Sequence, residues 1–303
     1  MKGIKSFLSL SFISHCQNLS MGSDYRMFNY SATQWIFGNE SLEDSLKRLK
    51  KYGYQGVELA GEPYSIDVEE TKELLKKYEL ECSTICGIYT PERDLSSSND
   101  EIRKNAVEYV KNSVDLAKTL NASTVIVVPT RVGKLGPETT LEEEWNNAIL
   151  SVKEAGLYAK EQGITLAIEA LNRYETYLVN NLTLALRFVE EVNVEGVGIM
   201  ADLFHMSKEE RSMTESIKKI SRYLAHVHIA DNTREAAGLG QTDFRPVISL
   251  LKELGYKGYI TMEFLPAVSN PYVASGLRGE STIFDDFTKQ SIEHMKEIVG
   301  AIS

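Results

Sequence analysis

From Tyr30 onwards the chain repeats one unit eight times: a short apolar run, then a longer stretch with apolar residues at helical spacing. The apolar runs are YSATQWIF (30–37), GVELAG (56–61), ECSTICG (81–87), STVIVVP (123–129), ITLAIEA (164–170), VGIMAD (197–202), LAHVHIAD (224–231) and GYITMEF (258–264). The stretch after the first run shows the helical logic. Leu42, Leu46 and Leu49 share one face, Ser41 stands where an N-cap is needed, and Asp44 falls in the first turn. Gly53, Gly163 and Gly255 each close a helical stretch, as a left-handed C-cap requires. A last helix is predicted over about 283–299. Nearly uncharged strands alternating with amphipathic helices imply a parallel sheet covered by helices. Eight such units predict a single (β/α)8 TIM barrel. A doubly wound sheet would need a glycine-rich phosphate turn, and the chain has no GxGxxG or P-loop.

The length of 303 residues suits one barrel domain, expected over 27–303. Residues 1–26 are expected to be an N-terminal extension, disordered or the product of a start assigned upstream of Met21 or Met27. The net charge of −10 argues against nucleic acid and anionic membrane as partners. No run reaches the roughly 18 apolar residues of a membrane span. The expected setting is cytoplasmic. The three cysteines, Cys16, Cys82 and Cys86, are too few and odd in number for a disulfide framework. Cys82 and Cys86 are read as reduced core residues.

In a barrel of this type the chemistry sits at the carboxyl ends of the strands. The last four predicted strands end on Glu169, Asp202, His228 and Glu263. One such residue is unremarkable as a helix cap or ion-pair partner. Four on consecutive strands converge, and three carboxylates together need a cation. One imidazole with three carboxylates predicts one divalent ion from among Mn2+, Co2+, Mg2+ and Fe2+. A structural zinc is disfavoured because no cysteine is near. His226, two residues before His228 on the same strand face, is expected to be a satisfied core histidine or a partner behind the ligands.

The segments IEALNRYETYLVNN, MADLFHMSKEE, HVHIADNTRE and GYKGYITMEF resemble the sugar phosphate isomerase/epimerase group of xylose isomerase-like barrels, above all its ketose 3-epimerases. The resemblance covers most of the chain after about residue 28, and Arg103 in the long helix matches an arginine usual there. It implies that Glu169, Asp202, His228 and Glu263 bind one ion, Mn2+ first, and that Glu169 and Glu263 are the acid/base pair. It also implies substrate contacts by Glu175, His205 and Arg234, a small sugar as substrate, and a homo-oligomer, dimer or tetramer. The implied reaction inverts C3 of a ketose by removing and returning a proton through a cis-enediolate that the ion stabilises.

The chain departs from that pattern at IADNT (229–233), at Phe244 in place of the usual tryptophan, and at Leu265–Pro266 after the last glutamate. Arg131 and Lys134, after strand four, leave a phosphorylated or acidic substrate open. The same site could support aldose–ketose isomerisation, dehydration of an inosose, or elimination from a 3-keto-glycoside. An endonuclease IV-like nuclease would need three metals and more histidines than the five present, in an acidic chain. A non-catalytic barrel would not need both glutamates and the full ligand set.

Overall fold

The computed structural model describes residues 27–266 and 281–302. Its strands are β1 (Asn29–Thr33), β2 (Gly56–Gly61), β3 (Glu81–Gly87), β4 (Thr124–Val127), β5 (Thr165–Ile168), β6 (Val197–Asp202), β7 (Leu224–Ile229) and β8 (Tyr259–Met262). Each pairs in parallel with the next, and β8 returns to β1, so the sheet closes into the expected eight-stranded barrel. The helices outside it are α1 (Leu42–Tyr52), α2 (Val68–Tyr78), α3 (Asp100–Thr119), α4 (Leu141–Gln162), α5 (Leu182–Val192), α6 (Leu203–Glu209), α7 (Met213–Ile220), α8 (Arg245–Glu253) and α9 (Ser281–Ile302). The expected extension over 1–26, with Cys16 and His15, lies outside the described residues. Among the described residues no helix is long and apolar enough to cross a membrane.

Local chemistry explains the helix boundaries. Ser41 caps α1 by accepting from the Asp44 N–H at 3.1 Å. Gly53 and Gly163 end α1 and α4 at φ +81° and +74°, a conformation that costs glycine nothing. Two expectations shift. The first predicted strand stops at Thr33, and Gln34–Phe37 coil into a 3-10 turn. An extended chain would send the adjacent Ile36 and Phe37 to opposite faces. The turn buries both, and Phe37 packs edge-on against Phe264 and Phe284. α6 was not expected, because its seven residues are too short for a periodic signal.

The main core lies between barrel and helices. A separate layer of Cys86, Ile126, Ala167 and Met200 fills the barrel interior. Burial pushes the Cys82 thiol up to about 12 and the Cys86 thiol well up, so both are inert core sulfurs as expected.

Candidate active site at the carboxyl end of the barrel

The strands deliver Glu169, Asp202, His228 and Glu263 to one place. Asp202 and His228 are register partners across β6 and β7. Glu169 and Glu263 follow β5 and β8 and extend their ladders by one bond each, to Val127 O and Ile229 O. All four side chains are at least nine-tenths buried.

Asp202 divides its carboxylate between two tasks. Oδ1 accepts from the His205 N–H at 3.0 Å and caps α6, while Oδ2 is buried without a partner. His228 Nδ1 is also buried without a partner, 3.6 Å from Asp202 Oδ2 and 3.6 Å from Glu263 Oε2. Glu169, Asp202, His205 and Glu263 each offer an atom within 4.8 Å of the others. Two orphaned buried acceptors among converging carboxylates are what a hard divalent cation would satisfy. Electrostatics agree. Burial, then the Glu263 charge, push the Glu169 carboxyl well above the usual carboxylate range. Burial also opposes ionisation of Asp202, but His205 and His228 overcome it and hold that carboxyl below its usual range. A bound cation would remove the conflict at Glu169.

The two imidazoles near this point both carry a proton on Nε2 but turn different nitrogens toward the site. His205 Nδ1 accepts from the Asn172 backbone N–H at 3.2 Å and lies 2.7 Å from Asn172 Nδ2. Burial lowers the His205 pKa, so the ring is neutral and its Nε2 carries the proton as a donor. Burial opposes a charge on His228, but Glu58 and Glu263 outweigh it and raise its pKa well above the usual imidazole value; with Nε2–H given to Glu58 at 3.0 Å, Nδ1 is the nitrogen whose proton a cation would replace. His228 is therefore the ring suited to a cation and His205 the one suited to a substrate oxygen.

The site opens into a cavity of about 440 Å³, within the size range of small-molecule sites. Glu169, Glu175, His205, Arg234 and Glu263 supply its polar wall, and Trp35, Ile88, Tyr89, Val128, Val132 and Leu171 its apolar one. Arg234 donates to Glu175 Oε1 at 3.1 Å and approaches Glu263 Oε2 at 3.5 Å. Asn172 Nδ2 donates to the same Glu175 oxygen at 3.0 Å.

The departure at IADNT is structural in large part. Asp231 is fully buried and accepts from the backbone N–H groups of Asn232, Gly238 and Thr242. That carboxylate ties the loop into a turn in which Arg234 adopts φ +66°. Arg131 and Lys134 do not line the cavity. Lys134 is buried and bonded to Glu144 at 2.6 Å and to Asp94 at 3.0 Å, and Arg131 pairs with Glu138 at 3.3 Å. The phosphate-binding role left open for these two cations has no geometry to support it.

Glu58 and Asn172 were not singled out in the sequence. The signal for Glu58 was present, a charge inside the otherwise uncharged run GVELAG. Asn172 carries no local signal; its importance comes from reaching His205, thirty-three residues away.

Comparison with known proteins agrees with this geometry. The sequence pattern of the xylose isomerase-like TIM barrel family matches residues 46–280. The chain is 30% identical to an L-ribulose 3-epimerase of Methylomonas sp. (strain DH-1) over 251 residues, 81% of this chain and 87% of that one. It is 28% identical to the 3-dehydro-D-guloside 4-epimerase of Escherichia coli (strain K12) over 234 residues, 75% of this chain and 88% of the relative. The crystal structure of a D-allulose 3-epimerase from Methylomonas sp. in complex with D-allulose superposes with a TM-score of 0.80 at 26% identity, covering 89% of this chain and 96% of that one. This chain belongs to the xylose isomerase-like TIM barrel family and is a metal-dependent sugar isomerase/epimerase of the ketose 3-epimerase kind.

Proposed function

We propose that the protein inverts C3 of a neutral ketose by moving a proton between substrate and the pair Glu169 and Glu263. The observation that carries this reading is that both glutamates line the same cavity, from strands on different sides of the barrel mouth. In this reading one divalent ion, Mn2+ first, is held by Glu169, Asp202, His228 and Glu263. When bound, the ion supplies the Lewis acidity that makes a proton beside a ketone removable by a carboxylate.

The chain's own residues do the rest. One glutamate takes the C3 proton from one face of the sugar, and the other returns a proton on the opposite face. His205 Nε2–H and the Arg234 guanidinium donate to the oxygens at C1 and C2, and Glu175 accepts from a hydroxyl there. The apolar wall of Trp35, Ile88, Tyr89 and Val132 excludes water from the carbanion side. A neutral substrate follows from the cations. Among the described lining residues the one cation is Arg234, and it faces Glu175 and Glu263.

The test is a screen of free and phosphorylated ketoses in D2O with added Mn2+. Deuterium should enter C3 of a free ketose, and Glu169→Gln and Glu263→Gln should each reduce exchange at least about 100-fold. Unchanged exchange in both variants, or turnover confined to phosphorylated ketoses, refutes the reading. A second reading is favoured by the 28% identity to a 3-dehydro-D-guloside 4-epimerase. A keto-glycoside placed across the same two glutamates would exchange a proton beside its own carbonyl. Including a 3-keto-glycoside in the screen separates the two.

A further inference from the structure

Glu58 is a full charge in the middle of β2 with no exposure to solvent. Its side chain crosses the barrel interior to β7. There a single oxygen, Oε2, lies 3.0 Å from His228 Nε2 and 3.0 Å from His226 Nε2, and accepts from Thr84 Oγ1 at 2.5 Å. A buried carboxylate is costly unless something uses its charge.

A neutral imidazole has one N–H and one lone pair, and the partner of the first decides where the second points. With Nε2–H given to Glu58, the His228 nitrogen left for a cation is Nδ1, which is buried, unpartnered and 3.6 Å from both Asp202 Oδ2 and Glu263 Oε2. The opposite tautomer would aim an N–H at the place where a cation must sit. His226 packs edge-on against the His228 ring at 5.0 Å between centroids and shares the same glutamate oxygen, so the ring is held in plane as well as in tautomer. Glu58, His226 and His228 also offer three atoms within 4.8 Å of one another, which could itself hold an ion. The 3.0 Å separations and the Thr84 hydroxyl on the same oxygen are instead those of hydrogen bonds.

We infer that Glu58 is a positioning residue for the metal centre: it fixes the tautomer and orientation of His228, and Thr84 and His226 fix Glu58. Ligating histidines commonly depend on such a partner, whose loss weakens metal binding about 10–100-fold. The inference rests on the four-residue metal site proposed above and adds a residue that touches neither metal nor sugar.

The experiment is Co2+ titration of chelator-stripped protein by calorimetry, for wild type, Glu58→Gln, Thr84→Val and Ser31→Ala. Ser31 is a buried polar residue of the barrel interior, bonded to Thr261 rather than to Glu58, and controls for unspecific damage. Wild type should bind one Co2+. Glu58→Gln should bind about 10–100-fold more weakly, Thr84→Val more weakly by a smaller factor, and Ser31→Ala as wild type. Turnover of Glu58→Gln should recover as Co2+ is raised to saturation. Nitrogen-15 spectra of the wild-type histidines, with and without Zn2+, keep the inference falsifiable should Glu58→Gln fail to fold. Loading should shift His228 Nδ1 while Nε2 keeps its proton. A folded Glu58→Gln with wild-type affinity, a Zn2+ shift at Nε2, or a second Co2+ lost in Glu58→Gln overturns the role of Glu58 and leaves the four-residue site standing. Wild type that binds no Co2+ overturns the site itself and this inference with it.

Discussion

Lys134 offers a sharp test, because the sequence and the structure assign it different work. In the sequence it is a cation near the site and a candidate for an anionic substrate. In the structure its ammonium is buried between Glu144 and Asp94 at 2.6 and 3.0 Å, with Ser96 Oγ at 3.4 Å and the Tyr177 hydroxyl on the other side of Glu144. At an effective dielectric of about 20, contacts of that length correspond to about 6 kcal/mol of gross attraction each. Desolvation of the three charges, several kcal/mol apiece, cancels most of it. Lys134→Met therefore does not forfeit the gross attraction. It leaves two carboxylates buried without their counter-charge, a change that costs about 3–5 kcal/mol. The cost should reach the active site, because the next residues back, Val132 and Gly133, form its wall, and Gly133 N–H donates to Glu175 O at 2.8 Å. The assay is urea unfolding of Lys134→Met, Glu144→Gln and the double variant, with turnover of a free and a phosphorylated ketose alongside. The expected result is a loss of about 3–5 kcal/mol for Lys134→Met, partial recovery in the double variant, and a rise in KM for the free ketose. A loss below about 1 kcal/mol, or a defect confined to the phosphorylated ketose, would refute the structural reading and restore the substrate role.

Three further outcomes are expected. Asn172→Ala removes the Nδ2 group that holds both His205 and Glu175 and leaves only the backbone N–H on the His205 ring; losing the side-chain hydrogen bonds costs about 1–2 kcal/mol of substrate binding, so KM should rise about 10-fold with kcat changed less, read from initial rates at saturating Mn2+. Glu169→Gln removes a carboxyl that burial first and the Glu263 charge second push up, so the metal-free variant should melt above metal-free wild type. Mn2+ at about 100 times its Kd should stabilise wild type by about 2.7 kcal/mol and the variant far less, and calorimetric melting with and without chelator reads both effects. Burial opposes ionisation of Asp285, but Lys51, Arg48 and Tyr52 outweigh it and pull the carboxyl from 3.8 to about 2. A depressed carboxyl stabilises the fold above its unfolded pKa, here above about pH 4, and that contribution disappears as pH falls through 2. With Asp285 and Lys51 partly exposed, Asp285→Asn should cost about 1 kcal/mol at pH 7 and nothing near pH 2 in urea titrations.

How much of this was legible in the sequence depends on the range of the interaction behind each feature. The barrel was, because apolar periodicity and helix caps are local and the chain repeats them eight times. Glu169, Asp202, His228 and Glu263 could be proposed together because a strand end is a local event and barrel closure brings consecutive strand ends together, the three carboxylates in one cluster and His228 Nδ1 3.6 Å from two of them. Glu58 was not, although it is as buried as any of them. A charge inside a strand becomes meaningful only when the register is known, and the register places Glu58 opposite Thr84 and points it across the barrel at β7. The role of Lys134 stayed open for the complementary reason. Its partners Asp94 and Glu144 come from a loop forty residues earlier and a helix ten residues later, so sequence proximity to the site said nothing about which carboxylates would claim the ammonium first. Both cases follow one physical rule. A buried charge is defined by whatever neutralises it, and neutralisation is a tertiary contact. In this barrel such contacts set the tautomer of His228 and anchor the cavity wall, so the residues that tune the site are the ones that strand-end logic cannot find.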